Sequence, residues 1–151
     1  MRHHAKRLGL ALLLSLAACG SGAGQDGCEP KPDILVLEPA PNGLLGYTDT
    51  CSGDTTLLYL TNQVDESNLI RVAAHELGHA VGLGHLAPPC IMASPVSGPS
   101  GPPCPEELAY MLGVVGTFTV HVGNGNVGSA ASSAASFWNQ QVGRTLFVVV
   151  H

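Results

Sequence analysis

Apolar runs predict several short strands in the first half of the chain. Residues 33–38 form a compact apolar stretch, Asp-Ile-Leu-Val-Leu-Glu, which is typical of a buried strand. Turn-forming residues follow at 39–43. Residues 44–48 and 55–61 then predict a second and a third strand, with a turn at 51–54 between them.

Two helices are predicted next. Asn68 can cap the start of a helix over residues 69–81. Pro105 opens a second helix that reaches about residue 112, with Glu106 and Glu107 in its first turn. Between the two helices lies a loop rich in Pro, Gly and Ser, at residues 95–105.

The end of the chain alternates strand, helix and strand. Residues 117–122 and 145–150 predict strands. Residues 128–141 are rich in alanine and predict a helix that carries Phe137 and Trp138. The pattern therefore gives five strands and three helices in total.

The chemistry is concentrated at residues 75–85, which read H-E-x-x-H-x-x-G-x-x-H. On a helix, His75 and His79 leave the same face and can hold one zinc ion. Gly82 can adopt a positive φ, end the helix and let the chain bring His85 to the same ion. Three neutral nitrogens leave one coordination position open, as in catalytic zinc sites. Glu76 would act on the zinc-bound water as general base without being a ligand.

This stretch resembles the extended motif of the metzincin zinc endopeptidases, in which a methionine-containing turn follows the third histidine. Met92, in the Met-turn at residues 90–95, stands where that turn is expected. The resemblance implies that Met92 forms a hydrophobic floor beneath the zinc and is not a ligand. Ser94 replaces the tyrosine of some metzincins, which favours the matrixin-like branch. The alternatives are incidental histidines on a helix and a structural metal site.

The resemblance also implies a fold and a substrate site. The fold would be α+β and zincin-like, with a twisted mixed five-stranded sheet packed on the active-site helix, then the Met-turn and a C-terminal-type helix. An extended peptide would lie antiparallel to the edge strand, and backbone pairing of that kind recognises many sequences. The residues of the expected substrate edge strand are Leu44, Leu45, Gly46, Tyr47 and Thr48.

The order of the elements departs from the family. A strand-helix-strand unit resembling the start of a metzincin catalytic domain lies here at the end, at residues 117–151. A circular permutation would explain this order if the old termini could be joined and the new ends were exposed. The alternatives are an unrelated addition and the truncated start of a second copy.

The N-terminus predicts export. Arg2, Lys6 and Arg7 precede an apolar stretch at residues 8–18, which is too short to span a bilayer. The stretch ends in Leu-Ala-Ala-Cys-Gly, which resembles a bacterial lipobox with Cys19 as the lipidated residue. The expected organisation is a signal peptide at 1–18, a lipid-anchored tether at 19–32 and a catalytic domain at 33–151. The alternative is an ordinary secretory signal cut after Ala18, with Cys19 left as a free thiol.

Charge and length narrow the class of protein. The 151 residues suit one domain, and only 11% are charged. The net charge is −5, and loss of the three cationic residues of the signal would bring it to −8. This balance argues against binding to nucleic acid or to an anionic membrane surface.

Four cysteines remain besides Cys19, and their even number in an oxidising compartment predicts two disulfides. Three pairings are possible. We prefer Cys28 with Cys51 and Cys90 with Cys104, because each partner is the nearer one in sequence. Zinc binding by these cysteines is the alternative, although no C-x-x-C pair exists.

The sequence thus predicts a zinc endopeptidase on the outer membrane of a bacterium, facing the periplasm or the cell exterior. We expect a monomer that holds one catalytic Zn²⁺, acts on peptides or proteins and meets the membrane only through its lipid. Calcium binding is left open. The alternatives are a non-catalytic, zinc-dependent binding or structural lipoprotein on a peptidase scaffold, and a misassembled reading frame that never folds.

Overall fold

A computed structural model describes residues 28–94 and 102–151. The predicted signal peptide, Cys19, most of the tether and the loop at 95–101 lie outside the described residues. The described part contains three strands, then two helices, then a strand, a helix and a strand. They are β1 (Asp33–Leu37), β2 (Gly46–Asp49), β3 (Thr56–Leu60), α1 (Glu66–Ala80), α2 (Pro105–Gly113), β4 (Phe118–His121), α3 (Asn126–Val142) and β5 (Phe147–Val150).

The five strands form one mixed sheet, in the order β2-β3-β1-β4-β5. Only β2 is antiparallel to its neighbour, and the other pairs are parallel. In the register of the central strands, Ile34 is paired with Thr56 on one side and Val120 on the other. The α+β class and the five-stranded mixed sheet are confirmed.

The bounds of the edge strand differ from the prediction. The strand was expected at residues 44–48, but β2 runs from Gly46 to Asp49. Leu44 instead ends a single helical turn, where its N–H donates to the carbonyl of Pro41. Leu45 lies just before β2, and its carbonyl accepts a hydrogen bond from the N–H of Thr61 at 2.9 Å.

The start of the helix that carries His75 and His79 was also predicted wrongly. Helix α1 begins at Glu66 rather than at 69, and its cap is Asp65 rather than Asn68. The carboxylate of Asp65 accepts a hydrogen bond from the N–H of Asn68, which satisfies a donor that the first helical turn leaves free. Gly82 ends the helix as expected, with a φ of 95°.

Helix α3 packs against α1. Its small residues Ala130, Ala131, Ala134 and Ala135 are all buried, and small side chains let two helices approach closely. Trp138 is fully buried, and its indole N–H donates to the carbonyl of Ala74 in α1 at 2.9 Å. The end of the chain therefore supports the helix that carries the motif.

Two disulfides close the loops around the site. Cys28 is bonded to Cys51, which joins the segment before β1 to the turn after β2. Cys90 is bonded to Cys104, which joins the Met-turn to the start of α2. These are the two pairings that proximity in sequence favours.

No helix within residues 28–94 and 102–151 is both long and apolar enough to cross a membrane.

Candidate metal centre

Three imidazole rings converge at the end of α1. His75 and His79 lie one turn apart on the helix, and the turn at Gly82 returns the chain so that His85 joins them. The Nε2 atom of His79 lies 3.1 Å from Nε2 of His75 and 3.1 Å from Nε2 of His85. These three residues form a group that could hold a metal ion.

Backbone carbonyls fix the orientation of two of the rings. Nδ1 of His75 donates to the carbonyl of Ile91, and Nδ1 of His79 donates to the carbonyl of Leu83, both at 2.8 Å. Because a carbonyl only accepts, Nδ1 carries the proton of each neutral ring and Nε2 keeps its lone pair. Both Nε2 lone pairs are therefore available to a metal.

Burial keeps these rings neutral. It lowers the pKa of His75 to about 4 and the pKa of His79 to about 3, and it also lowers the pKa of His85. A neutral imidazole is the form that ligates a metal. Two unprotonated nitrogens facing each other at 3.1 Å repel unless a cation lies between them.

The donor set fits zinc. Zinc–nitrogen bonds of about 2.0–2.1 Å in a tetrahedral site separate two ligand nitrogens by about 3.3–3.4 Å. The Nε2 separations of 3.1 Å are close to that spacing. Three histidines leave the fourth tetrahedral position for water or substrate.

Glu76 lies on the same helix but turns toward the edge strand. It is 5% exposed, and its Oε2 accepts a hydrogen bond of 2.6 Å from the hydroxyl of Thr48. Burial raises the pKa of Glu76 to about 7, and the hydrogen bond from Thr48 acts in the opposite direction. A carboxyl group whose pKa lies near neutrality can both accept and return a proton at neutral pH.

The Met-turn packs directly under the histidine-bearing turn of α1. Met92 is fully buried, and a Cβ on Gly78 would lie 2.4 Å from its sulfur, so any side chain at position 78 would displace Met92. The N–H of Leu86 donates to the carbonyl of Met92 at 3.0 Å, which ties the turn to the segment carrying His85. The same turn supplies the Ile91 carbonyl that orients His75.

Glu107 is a part of the site's support that the sequence analysis missed. Its side chain is fully buried at the start of α2, and its carboxylate accepts from the N–H of Met92 at 2.5 Å and from the N–H of Cys104 at 2.8 Å. The bond from the N–H of Cys104 has a recognisable signal in the sequence, because Glu107 lies three residues after the helix cap, Cys104. The bond to Met92 has no such local signal.

Thr48 and Gly46 were expected only as part of a substrate strand. The side chain of Thr48 instead faces inward and contacts Glu76. Gly46 lies beside the same carboxylate, where a Cβ would approach Oε1 to 2.6 Å. Within the described residues, β2 pairs only with β3, so its other edge has backbone groups that an extended peptide could pair with.

Comparison with known families agrees with this geometry. The family model for the matrixins, peptidase family M10, matches residues 40–101, which is 62 of the 151 residues. The match supports a matrixin-like metallopeptidase domain. It includes β2, β3, α1 and the Met-turn, whereas β1, α2, β4, α3 and β5 lie outside it. No curated protein and no solved structure gives a significant match.

Proposed function

We propose that the protein is a zinc endopeptidase in which His75, His79 and His85 hold the metal and Glu76 is the general base. The observation that carries the proposal is the convergence of three Nε2 atoms at the end of a helix that also carries the buried carboxylate of Glu76. The matrixin match over this part of the chain supports the same reaction.

When bound, zinc would supply a Lewis acid that polarises the peptide carbonyl and makes water a better nucleophile. Glu76 takes a proton from the attacking water as the new C–O bond forms. It then gives this proton to the amine nitrogen as the C–N bond breaks. The two products are a carboxylic acid and an amine, and Glu76 returns to its starting state.

The substrate would be an extended peptide paired with the outer edge of β2. Such pairing uses main-chain groups and is compatible with many sequences. The edge strand contacts α1 through the inward side chain of Thr48, so a bound peptide would lie near the base.

The first prediction is that Glu76→Gln abolishes cleavage and leaves zinc bound. The substitution keeps all three histidines and the size of the side chain but removes the proton acceptor. Loss of a general base lowers kcat by about 10²–10⁴. We would measure kcat on a quenched fluorescent peptide and zinc content by metal analysis, using full-length protein throughout. The His79→Ala variant is the control that should lose the metal.

Chelation should stop cleavage by the wild-type chain, and added Zn²⁺ should restore it. If the Glu76→Gln variant cleaves at the wild-type rate, Glu76 is not the base. If the folded, zinc-loaded wild type cleaves no peptide or protein, the chain is instead a non-catalytic zinc-dependent binding protein on this scaffold.

We also propose that the order of the elements results from a circular permutation. In the sheet, β4 pairs with β1 and β5 pairs with β4, so the late strand-helix-strand unit completes the same layer as the early strands. The link between α2 and β4 is short, from Val114 to Thr117. A family model written in the usual order cannot align a unit that has been moved, which agrees with β4, α3 and β5 lying outside the match.

A further inference from the structure

The carboxylate of Glu76 rests against two residues of the edge strand. Gly46 and Thr48 are two positions apart in β2, so they present the same face to α1. The two positions act on different oxygens of the carboxylate. Gly46 lies beside Oε1, and Thr48 binds Oε2.

Thr48 is the hydrogen-bonding part of this arrangement. Its side chain is fully buried, and its hydroxyl lies 2.6 Å from Oε2 of Glu76 and 3.1 Å from the backbone carbonyl of the same residue. A hydroxyl has one proton to donate, and the shorter distance assigns it to the carboxylate.

Gly46 supplies the space. A Cβ at this position would lie 2.6 Å from Oε1 of Glu76, 2.7 Å from its Cγ and 2.7 Å from Cγ1 of Val72. Contacts this close would force the glutamate side chain to move. The carboxylate can therefore lie against the strand only because residue 46 has no side chain.

The two oxygens of the carboxylate have different surroundings. Oε2 accepts the hydrogen bond from Thr48, whereas Oε1 lies beside Gly46, which has no side chain. A glutamate side chain has three rotatable bonds, and a reacting group displaced by about 1 Å can lose about 10²-fold in rate. The orientation of Glu76 therefore needs a fixed partner.

We propose that Gly46 and Thr48 form a carboxylate seat, in which Thr48 is a positioning residue that holds Oε2 of Glu76 and directs Oε1 toward the reacting water. This inference rests on the proposed function and adds two residues to it. It gives the edge strand a second task besides pairing with the substrate.

The test compares Thr48→Val, Thr48→Ser and Thr56→Val in the full chain. Valine keeps the size of threonine and removes the hydroxyl, and serine restores the hydroxyl. Thr56 is an equally buried threonine in β3 whose hydroxyl has no hydrogen-bond partner in the described part of the chain, so it is the matched control.

With Thr48→Val we expect kcat to fall about 10- to 100-fold, while KM changes less than about threefold and zinc content is unchanged. Thr48→Ser should recover most of kcat, and Thr56→Val should match the wild type. A crystal structure of Thr48→Val should show the Glu76 carboxylate turned away from its wild-type position. A general loss of folding would instead lower zinc content and cooperativity of unfolding together.

The seat is refuted if folded, zinc-loaded Thr48→Val keeps kcat within about threefold of the wild type, or if its Glu76 carboxylate has not moved. If that variant does not fold, Gly46→Ala tests the same seat, because a Cβ there must displace Oε1 while Thr48 remains. If the wild type itself has no activity, the proposed function fails, and the position of Glu76 in the crystal structures alone decides whether the seat exists.

Discussion

At the scale of residues, the ring of His75 is held through a chain of contacts that ends at a buried carboxylate. His75 donates to the carbonyl of Ile91, and the next N–H, that of Met92, donates to Glu107. Glu107 thus holds the peptide unit whose carbonyl orients the proposed metal ligand His75. Partners of this kind commonly change metal affinity by about 10- to 100-fold when they are removed.

We predict that Glu107→Gln destabilises the protein and weakens zinc binding although it changes the shape of the side chain very little. Both oxygens of Glu107 accept hydrogen bonds from backbone N–H groups, so the amide –NH₂ of glutamine must face one of two donors. An unsatisfied buried group costs about 1–3 kcal/mol of the free energy of unfolding. Chemical denaturation and chelator competition would measure the two effects.

Glu106→Gln is the matched control for this experiment, because Glu106 is the exposed neighbour on the same helical turn. It should leave both stability and zinc affinity unchanged. Equal stability and equal zinc affinity for Glu107→Gln and the wild type would show that the carboxylate does not support the Met-turn.

The sequence predicts which histidines come together better than it predicts the residues that support them, for a physical reason. His75, Glu76 and His79 lie on one helix, where spacing alone fixes which side chains share a face. The partners of Glu76 and Met92 are 28 and 15 residues away in sequence, so they depend on how the elements pack. The prediction of the residue that caps α1 was wrong for a different reason. Asp65 and Asn68 are both good capping residues, and only the three-dimensional structure distinguishes them.

At the scale of elements, α1 depends on the last part of the chain as much as on the strands before it. Apolar runs predicted the four parallel strands, since buried parallel strands are continuously apolar, whereas the antiparallel edge strand β2 was predicted with the wrong bounds. The parallel pairing of β4 with β1 joins residues that are 86 positions apart in sequence, such as Ile34 and Val120, and no local pattern shows it. The hydrogen bond from Trp138 to Ala74 is equally non-local.

We predict that the chain without residues 117–151 does not fold. The deletion removes β4, β5 and α3. It exposes the edge of β1 that pairs with β4 and the side of α1 that packs against α3. Burial of each large apolar side chain, such as Trp138, Leu146 and Phe147, contributes about 1.5–3 kcal/mol, and a domain of this size is stable by only about 5–15 kcal/mol. Solubility, circular dichroism and zinc content would be measured.

A rearranged chain with residues 117–151 joined through a flexible linker ahead of residue 33 is the positive control, because it contains the same elements in the order usual for the family. It should fold and bind one zinc ion. A folded, zinc-binding chain lacking 117–151 would mean that the late unit is an addition rather than a displaced part of the domain.

At the scale of the whole molecule, the two disulfides support an extracytoplasmic location. Disulfides form and persist in oxidising compartments. This agrees with the export signal and the lipobox expected at residues 1–19. The disulfide with Cys51 fixes Cys28 to the folded part of the chain, and the nine residues from Cys19 to Cys28 could extend at most about 30–32 Å. We therefore propose that the protein is a lipoprotein whose catalytic domain stays close to the membrane.

The prediction is that Cys19→Ala releases the protein from the membrane of a bacterial host and leaves its catalytic activity intact. The wild type should enter the membrane fraction, partition into a detergent phase and incorporate labelled palmitate, because lipid on Cys19 would be its anchor. Cys19→Ala should lose the label and become soluble, while Cys51→Ala should keep the label, since Cys51 belongs to a disulfide. An unlabelled wild type in the soluble fraction would favour an ordinary secretory signal cut after Ala18.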